Sequence, residues 1–169
     1  MYFWTKRKVF ISYHHRGDQL WFDEFTRLFA ERYEIFYDKS LDGRIRSDDP
    51  EYTNRTIREE HIVGSSITIV LCGAETCKRK YVDWEIHSTL HHEHALLGIA
   101  LPTAIKGNAG GIIVPGRLHD NIQSGYAHWL DRWVNDPQTL QTFIEVAIQK
   151  SQEKSKISNK REKMGRNLT

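Results

Sequence analysis

The chain is short of the residues that would define it by staples or by charge. It has two cysteines in 169 residues, Cys72 and Cys77. Two are too few for a disulfide framework, and a reducing, cytoplasmic setting is the expectation. Basic residues outnumber acidic ones by only 24 to 22, an excess too small to argue for nucleic acid or a membrane surface. No apolar run approaches the length of a membrane span. The opening MYFWTKRK has three aromatics and then basic residues, without the apolar core and small-residue cleavage site of a secretory signal. No dinucleotide-binding GxGxxG follows the first apolar run, no HExxH occurs, and no internal repeat is present.

What remains is an ordinary globular composition, 27% charged and 39% apolar, on a chain long enough to bury one real core. Four short apolar runs read as strands: KVFISY (8–13), EIFYD (34–38), ITIVLCG (67–73) and LLGIAL (96–101), with a further short strand placed near YAHWL (126–130). Between them lie helical patterns. Trp21, Phe22, Phe25, Leu28 and Phe29 recur at helical spacing within 18–32. A long polar loop, 39–50, ends at Asp49–Pro50, a helix-start pair for a helix running to Val63, with Gly64 as its stop. A helix is expected from Tyr81 to His94. Asp136–Pro137 repeats the start device ahead of Leu140, Phe143, Ile144, Ala147 and Ile148. One domain over 1–151 follows, with a polar, basic tail over 152–169 expected to be frayed or disordered.

Strands that are apolar throughout and alternate with helices indicate an α/β fold, a parallel sheet covered on both faces. Such sheets receive ligands at the carboxyl ends of their strands, here SYHH, YDKS, CGAE and LPTA. The layout alone does not name a function. A phosphorelay receiver needs clustered acids after the first strand, where this chain has Ser12, Tyr13 and His14. A flavodoxin needs a hydroxyl- and glycine-bearing phosphate loop there, and HHRGD is a poor one.

The residues resemble a TIR domain, and more closely the bacterial TIR-like proteins of Thoeris anti-phage systems. KVFISYHHRGD is similar to the TIR opening, an apolar strand ending in Phe-Ile-Ser-Tyr with an aspartate starting the first helix. DKSLDGRIRSDDP stands where TIR domains carry the loop after the second strand. SSITIVLCGAETCKRKYVDWEI is similar to the third strand and the helix bearing the TIR glutamate, here Glu85, with an aromatic four residues earlier, here Tyr81. The resemblance covers roughly 8–101. It implies a flavodoxin-like sheet of about five strands. It also implies an enzyme that cleaves the ribose–nicotinamide bond of NAD, the substrate and not a cofactor, releasing a cyclic or linear ADP-ribose signal for a downstream effector. Self-association through TIR–TIR contacts is implied too. Two alternatives stay open: a non-catalytic interaction module, and a nucleoside deoxyribosyltransferase with similar single-glutamate chemistry.

That chemistry asks little of the protein. Nicotinamide leaves NAD neutral, so no general acid is needed. Positive charge develops on the ribose ring, as in glycoside hydrolysis, and one fixed carboxylate beside it stabilises the transition state. At about 100° per residue, Val82 and Ile86 mark the buried side of the helix, and Tyr81 and Glu85 flank it on one edge. The competing reading of Glu85 is a surface carboxylate near Lys78 or Lys80. Ser12, Tyr13, His14 and Asp38 are the candidate substrate contacts at the strand ends. Their ordinary readings are a hydroxyl on its own backbone, a core aromatic, a solvated histidine and a turn aspartate. Asp83, His87, His91 and His94 share a face with Trp84. Metal is not expected there; Trp84, His87 and His91 are assigned to an assembly surface. Cys72 reads as a core thiol.

Overall fold

The computed structural model describes residues 5–38 and 59–169. In chain order these form β1 (Arg7–Ser12), α1 (His15–Phe29), β2 (Tyr33–Tyr37), β3 (Ile67–Cys72), α2 (Lys80–His91), β4 (Ala95–Ala100), α3 (Gly116–Ser124), β5 (His128–Leu130) and α4 (Pro137–Lys150). All strand pairs are parallel and the order is β2-β1-β3-β4-β5. This is the flavodoxin-like order, whose direction of winding reverses between β1 and β3. The loop 39–50 and most of the helix expected over 49–63 lie outside the described residues. The helical residues 59–63 end with the Gly64 N–H on Glu60 O at 3.1 Å, as the glycine stop predicts.

Strand alternation sorts the core into two layers. Val9, Ile11, Ile67, Ile69 and Leu71 face the layer of α1 and α4, where Phe22, Phe25, Phe29, Leu140 and Ile144 pack. Val70, Cys72 and Leu96 face the other layer, where Val82, Ile86 and Leu90 of α2 and Leu118 of α3 pack. Each large apolar side chain so buried contributes about 1.5–3 kcal/mol. Cys72 is fully buried, and desolvation holds its thiol far above the usual range, so it is an inert part of the core. Gly98 in β4 has a steric reason. A Cβ there would lie 2.7 Å from Trp129 and 2.9 Å from Leu118, so only glycine lets α3 and β5 seat against the sheet.

Two helix starts contrast. At α4, Asp136 Oδ2 accepts from the Thr139 N–H at 2.9 Å, with Pro137 in the first turn, as its sequence predicts. At α1 the helix opens at His15, one turn earlier than the apolar periodicity indicates. Asp18 is not a cap: it sits inside the helix at φ −123°, ψ 19°, with its N–H on His14 O. The helix α3 carries only Leu118 and Ile122 as apolar residues, so periodicity does not mark it in the sequence. It ends at Gly125, whose φ of 85° suits a left-handed C-terminal residue.

The segment after α4 differs most from its sequence expectation. Residues 152–168 are neither frayed nor free; they run across α3 and α2. Ser158 N donates to Asn121 Oδ1 (2.9 Å), and Asn121 Nδ2 donates back to Ser158 O (2.8 Å). Arg161 Nε and Nη2 donate to the two Asp120 oxygens at 2.8 and 3.0 Å, which holds that carboxyl below its usual pKa. Composition correctly marks this stretch as unable to build a core. It is held instead mainly by hydrogen bonds from its backbone and polar side chains to groups that the helices leave over, with Ile157 packed against the core. No helix among the described residues is long and apolar enough to cross a membrane.

Candidate functional site

The carboxyl ends of β1 and β3 define the crevice where an open parallel sheet takes a ligand. Ser12 is the last residue of β1 and shares the strand face of Phe10, so its hydroxyl points to the α2 layer. Glu85 lies on α2 one turn after Tyr81. Both Ser12 and Glu85 are buried, at 0% and 2% exposure, and Ser12 Oγ donates to Glu85 Oε2. These figures decide against the surface-carboxylate reading of Glu85. A carboxylate withdrawn from water at the switch point is costly unless it is held, and Ser12 is one of the groups that hold it.

The turn that carries Glu85 is fastened to the sheet. Thr89 Oγ1 donates to Glu85 O at 2.8 Å, and the hydroxyls of Thr68 and Thr89 meet at 2.7 Å. With the Thr89 proton committed to the carbonyl, Thr68 is the donor of the pair. Thr68 thus ties β3 to the backbone of the glutamate itself, while Val82 and Ile86 seat the helix on either side.

The other sequence candidates separate by the same alternation. Tyr13, one residue beyond Ser12, points to the opposite layer. Its ring stacks on His15 (4.1 Å between centroids) and Phe22 (4.6 Å), and its hydroxyl donates to Gln19. It serves the α1 layer and is not gathered with Glu85. Asp38 is fully buried one residue past the Ile11–Tyr37 pair, so it flanks Ser12 across the β1–β2 ladder. His14 stands at the start of α1. Its Nδ1 is buried and has no hydrogen-bond partner among the described residues. Burial first, then the positive charge of Arg79, pushes its pKa below the ordinary histidine value. This favours the uncharged imidazole, which can donate or accept a hydrogen bond. Tyr81 is half-buried, its ring edge-on to Trp84 at 5.6 Å, with Lys80 Nζ 5.2 Å from both ring centroids.

One acid at this end of the sheet received only a helix-start role from the sequence. Asp18 is 2% exposed, accepts from Thr103 Oγ1 at 3.0 Å, and lies against Gly73, where a Cβ would come within 2.2 Å of Asp18 Oδ2. Desolvation raises its pKa. Asp18 therefore locks the start of α1 to the loops after β3 and β4, and Gly73 must lack a side chain to allow it. Thr76 braces the same loop, accepting from Gly73 N at 2.8 Å. The glycine directly after the apolar run ITIVLC is the signal that marks this close approach.

On the face expected to serve assembly, the chain's own C-terminal segment lies close by. Helical geometry turns Trp84 outward, and no wheel can show what chain returns over it. Trp84 Nε1 donates to Met164 O at 2.7 Å, and Asn159 Nδ2 donates to His87 O at 3.2 Å. Asp83, grouped with this outer face, is 3% exposed and is held in a bidentate pair by the fully buried Arg117, Nε–Oδ1 2.9 Å and Nη2–Oδ2 3.2 Å. Trp84 and His87 are thus half-buried, each hydrogen-bonded to this chain's own segment 159–164, while His91 is exposed. Among the described residues no three His, Cys, Asp or Glu side chains gather in a metal-holding group.

No curated protein matches the chain. Among solved structures it is similar to the TIR domains in the structure of the activated Roq1 resistosome directly recognizing the pathogen effector XopQ, at 12% identity and a TM-score of 0.43, covering 88% of this chain and 85% of that one. The family described as "Thoeris protein ThsB, TIR-like domain" matches residues 10–106, from inside β1 to beyond β4, which includes Ser12, Tyr81 and Glu85. That span is more than half of the molecule, and the chain belongs to this TIR-like family.

Proposed function

We propose that this protein cleaves the bond between ribose and nicotinamide in NAD, with Glu85 as the catalytic carboxylate. The observation that carries the reading is the buried Glu85 at the β1–β3 switch point, taking a hydrogen bond from Ser12. As nicotinamide departs with the bonding electron pair, positive charge grows on the ribose carbon and ring oxygen. A fixed anion at that spot lowers the barrier, and exclusion of water strengthens its effect. Ser12 sets the orientation of the carboxylate, Tyr81 provides an aromatic wall one turn away, and His14 and Asp38 flank the crevice as hydrogen-bonding groups. Water or an internal nucleophile of the ADP-ribosyl group completes the reaction, giving a linear or cyclic ADP-ribose.

In keeping with the Thoeris family, the product would serve as an anti-phage signal that reaches a downstream effector by diffusion. Homo-oligomerisation belongs to the same proposal, with the half-buried Trp84 and His87 and the exposed His91 as its candidate face. The test is incubation with NAD and mass-resolved analysis of products, for the wild type and Glu85→Gln. The variant keeps the size of the side chain and an oxygen for Ser12, so it should fold normally and lose about 10²–10³-fold in turnover. Turnover at the wild-type rate in Glu85→Gln would sink the assignment. Exchange of bases on deoxynucleosides, without NAD cleavage, would move the reaction to deoxyribosyl transfer.

A further inference from the structure

The helix that carries Tyr81 and Glu85 begins without a cap of its own. Arg79 occupies the cap position and its side chain makes no capping hydrogen bond. The first N–H groups of a helix have no partner within it and need one from elsewhere. Here the partner arrives from the far end of the described chain. Asn167 Oδ1 accepts from Lys80 N at 2.9 Å, and the Leu168 N–H donates to Lys78 O at 2.9 Å, just before the helix. One turn further along, Met164 N donates to Asp83 Oδ2 at 2.9 Å, while Met164 O accepts from Trp84. Arg117, already paired with Asp83, also donates to Asn159 Oδ1 (3.0 Å) and Glu162 O (3.2 Å). Residues 159–168 therefore form a strap that grips the first turn of α2 on the side opposite the sheet.

We propose that this strap is a positioning element of the Glu85 site, with Asn167 as its key residue: by capping α2 it fixes the first turn, which carries Tyr81 and leads into the turn of Glu85. The inference rests on the NAD-cleaving reading for its catalytic consequence, and on geometry alone for its structural one. Two features connect the strap to the crevice. Tyr81 lies directly after the capped Lys80, and its ring contacts Trp84, which the strap holds. Arg79, whose charge acts on His14, has Nη2 3.5 Å from Leu168 O. Hydrophobic packing of Val82 and Ile86 fixes the middle of α2 without the strap, so the strap governs the first turn and not the fold as a whole.

The experiment uses the full chain with Asn167→Ala and Asn167→Asp. Amide hydrogen exchange is read at Lys80–Asp83, with β3 and β4 as internal controls, and NAD cleavage is measured on the same samples. Asn167→Ala should speed exchange at Lys80 and Tyr81 about tenfold and lower NAD cleavage several-fold, with strand amides unchanged. Asn167→Asp keeps an acceptor and places a negative charge where a helix start favours one, so it should restore both readouts. Unchanged exchange in Asn167→Ala overturns the strap. Faster exchange with undiminished NAD cleavage overturns its positioning role. If the wild type does not cleave NAD at all, the reaction assignment fails by itself, and the exchange arm alone decides for or against the strap.

Discussion

The two sides of α2 carry one buried carboxylate each, and their surroundings differ in kind. Asp83 faces the chain's own later segments. A guanidinium meets it with two hydrogen bonds, a backbone N–H adds a third, and all three come from groups that are themselves held. Glu85 faces the strand ends at the switch point and takes a hydroxyl from Ser12. Two residues apart in sequence, both acids are withdrawn from water. One is neutralised by a cation inside the molecule. The other faces the crevice, where the proposed reaction would build positive charge. Burial by itself does not mark a catalytic acid; the direction the acid faces, and the charge of what meets it, separate a structural role from a chemical one.

The comparison can be broken first at Asp83. Arg117→Met should destabilise the fold by about 3–5 kcal/mol, because it leaves Asp83 buried without its counter-charge. Adding Asp83→Leu should recover a large part of that loss, since an apolar pair of similar volume removes the stranded charge. Chemical denaturation of the single and double variants checks both. The corresponding cut on the other side is Ser12→Ala. It should cost about 1–3 kcal/mol of stability, less than the Arg117 change, but lower NAD cleavage about tenfold, because the carboxylate loses a group that orients it. Equal stability losses at Arg117 and Ser12 would erase the distinction between the two sides.

A smaller effect concerns the histidines on each side. Burial lowers the pKa of both His14, by the crevice, and His87, by Asp83; nearby Arg79 and Arg117 act in the same direction. A lowered folded pKa means the unfolded chain binds protons first. Stability from these neutral imidazoles is therefore full above the ordinary histidine value and declines as pH falls below about 6.5. Thermal melts at pH 7.5 and 5.5 should show a midpoint lower by a few degrees at the acid end. His14→Gln and His87→Gln should each remove part of that difference. A melting point independent of pH across this range, or one rising toward acid, would contradict the assignment.

The sheet was legible in the sequence because parallel strands buried on both faces are unbroken apolar runs. Their carboxyl ends could be named before any coordinate. Glu85 was legible as an edge residue from helical rotation; its pairing with Ser12 was not, because it depends on how α2 seats over the β1 face that Ser12 takes. Tyr13 shows the limit of counting along a strand end: one step in sequence moves a side chain to the opposite layer. The Asp83 side was not legible. A helical wheel shows which residues face outward, but Arg117, Asn159 and Met164 return to α2 from 34 to 81 positions away. The strap hid for a related reason. With only Met164 and Leu168 apolar it cannot build a core, yet its polar residues can be ordered by hydrogen-bonding groups presented by helices elsewhere in the chain. Asp18 is a third case, an acid whose partners Gly73 and Thr103 come together only once β3 and β4 are paired.

The central claim is that Glu85 acts in chemistry and Asp83 in structure. Its most direct test is NAD turnover per folded molecule for Glu85→Gln and Asp83→Asn, prepared side by side with their melting points. The account predicts that Glu85→Gln melts within a few degrees of the wild type and loses at least about a hundredfold in turnover. Asp83→Asn should melt clearly lower, with a turnover loss at least tenfold smaller. An active Glu85→Gln, or an Asp83→Asn that folds as stably as the wild type yet loses turnover, would contradict it.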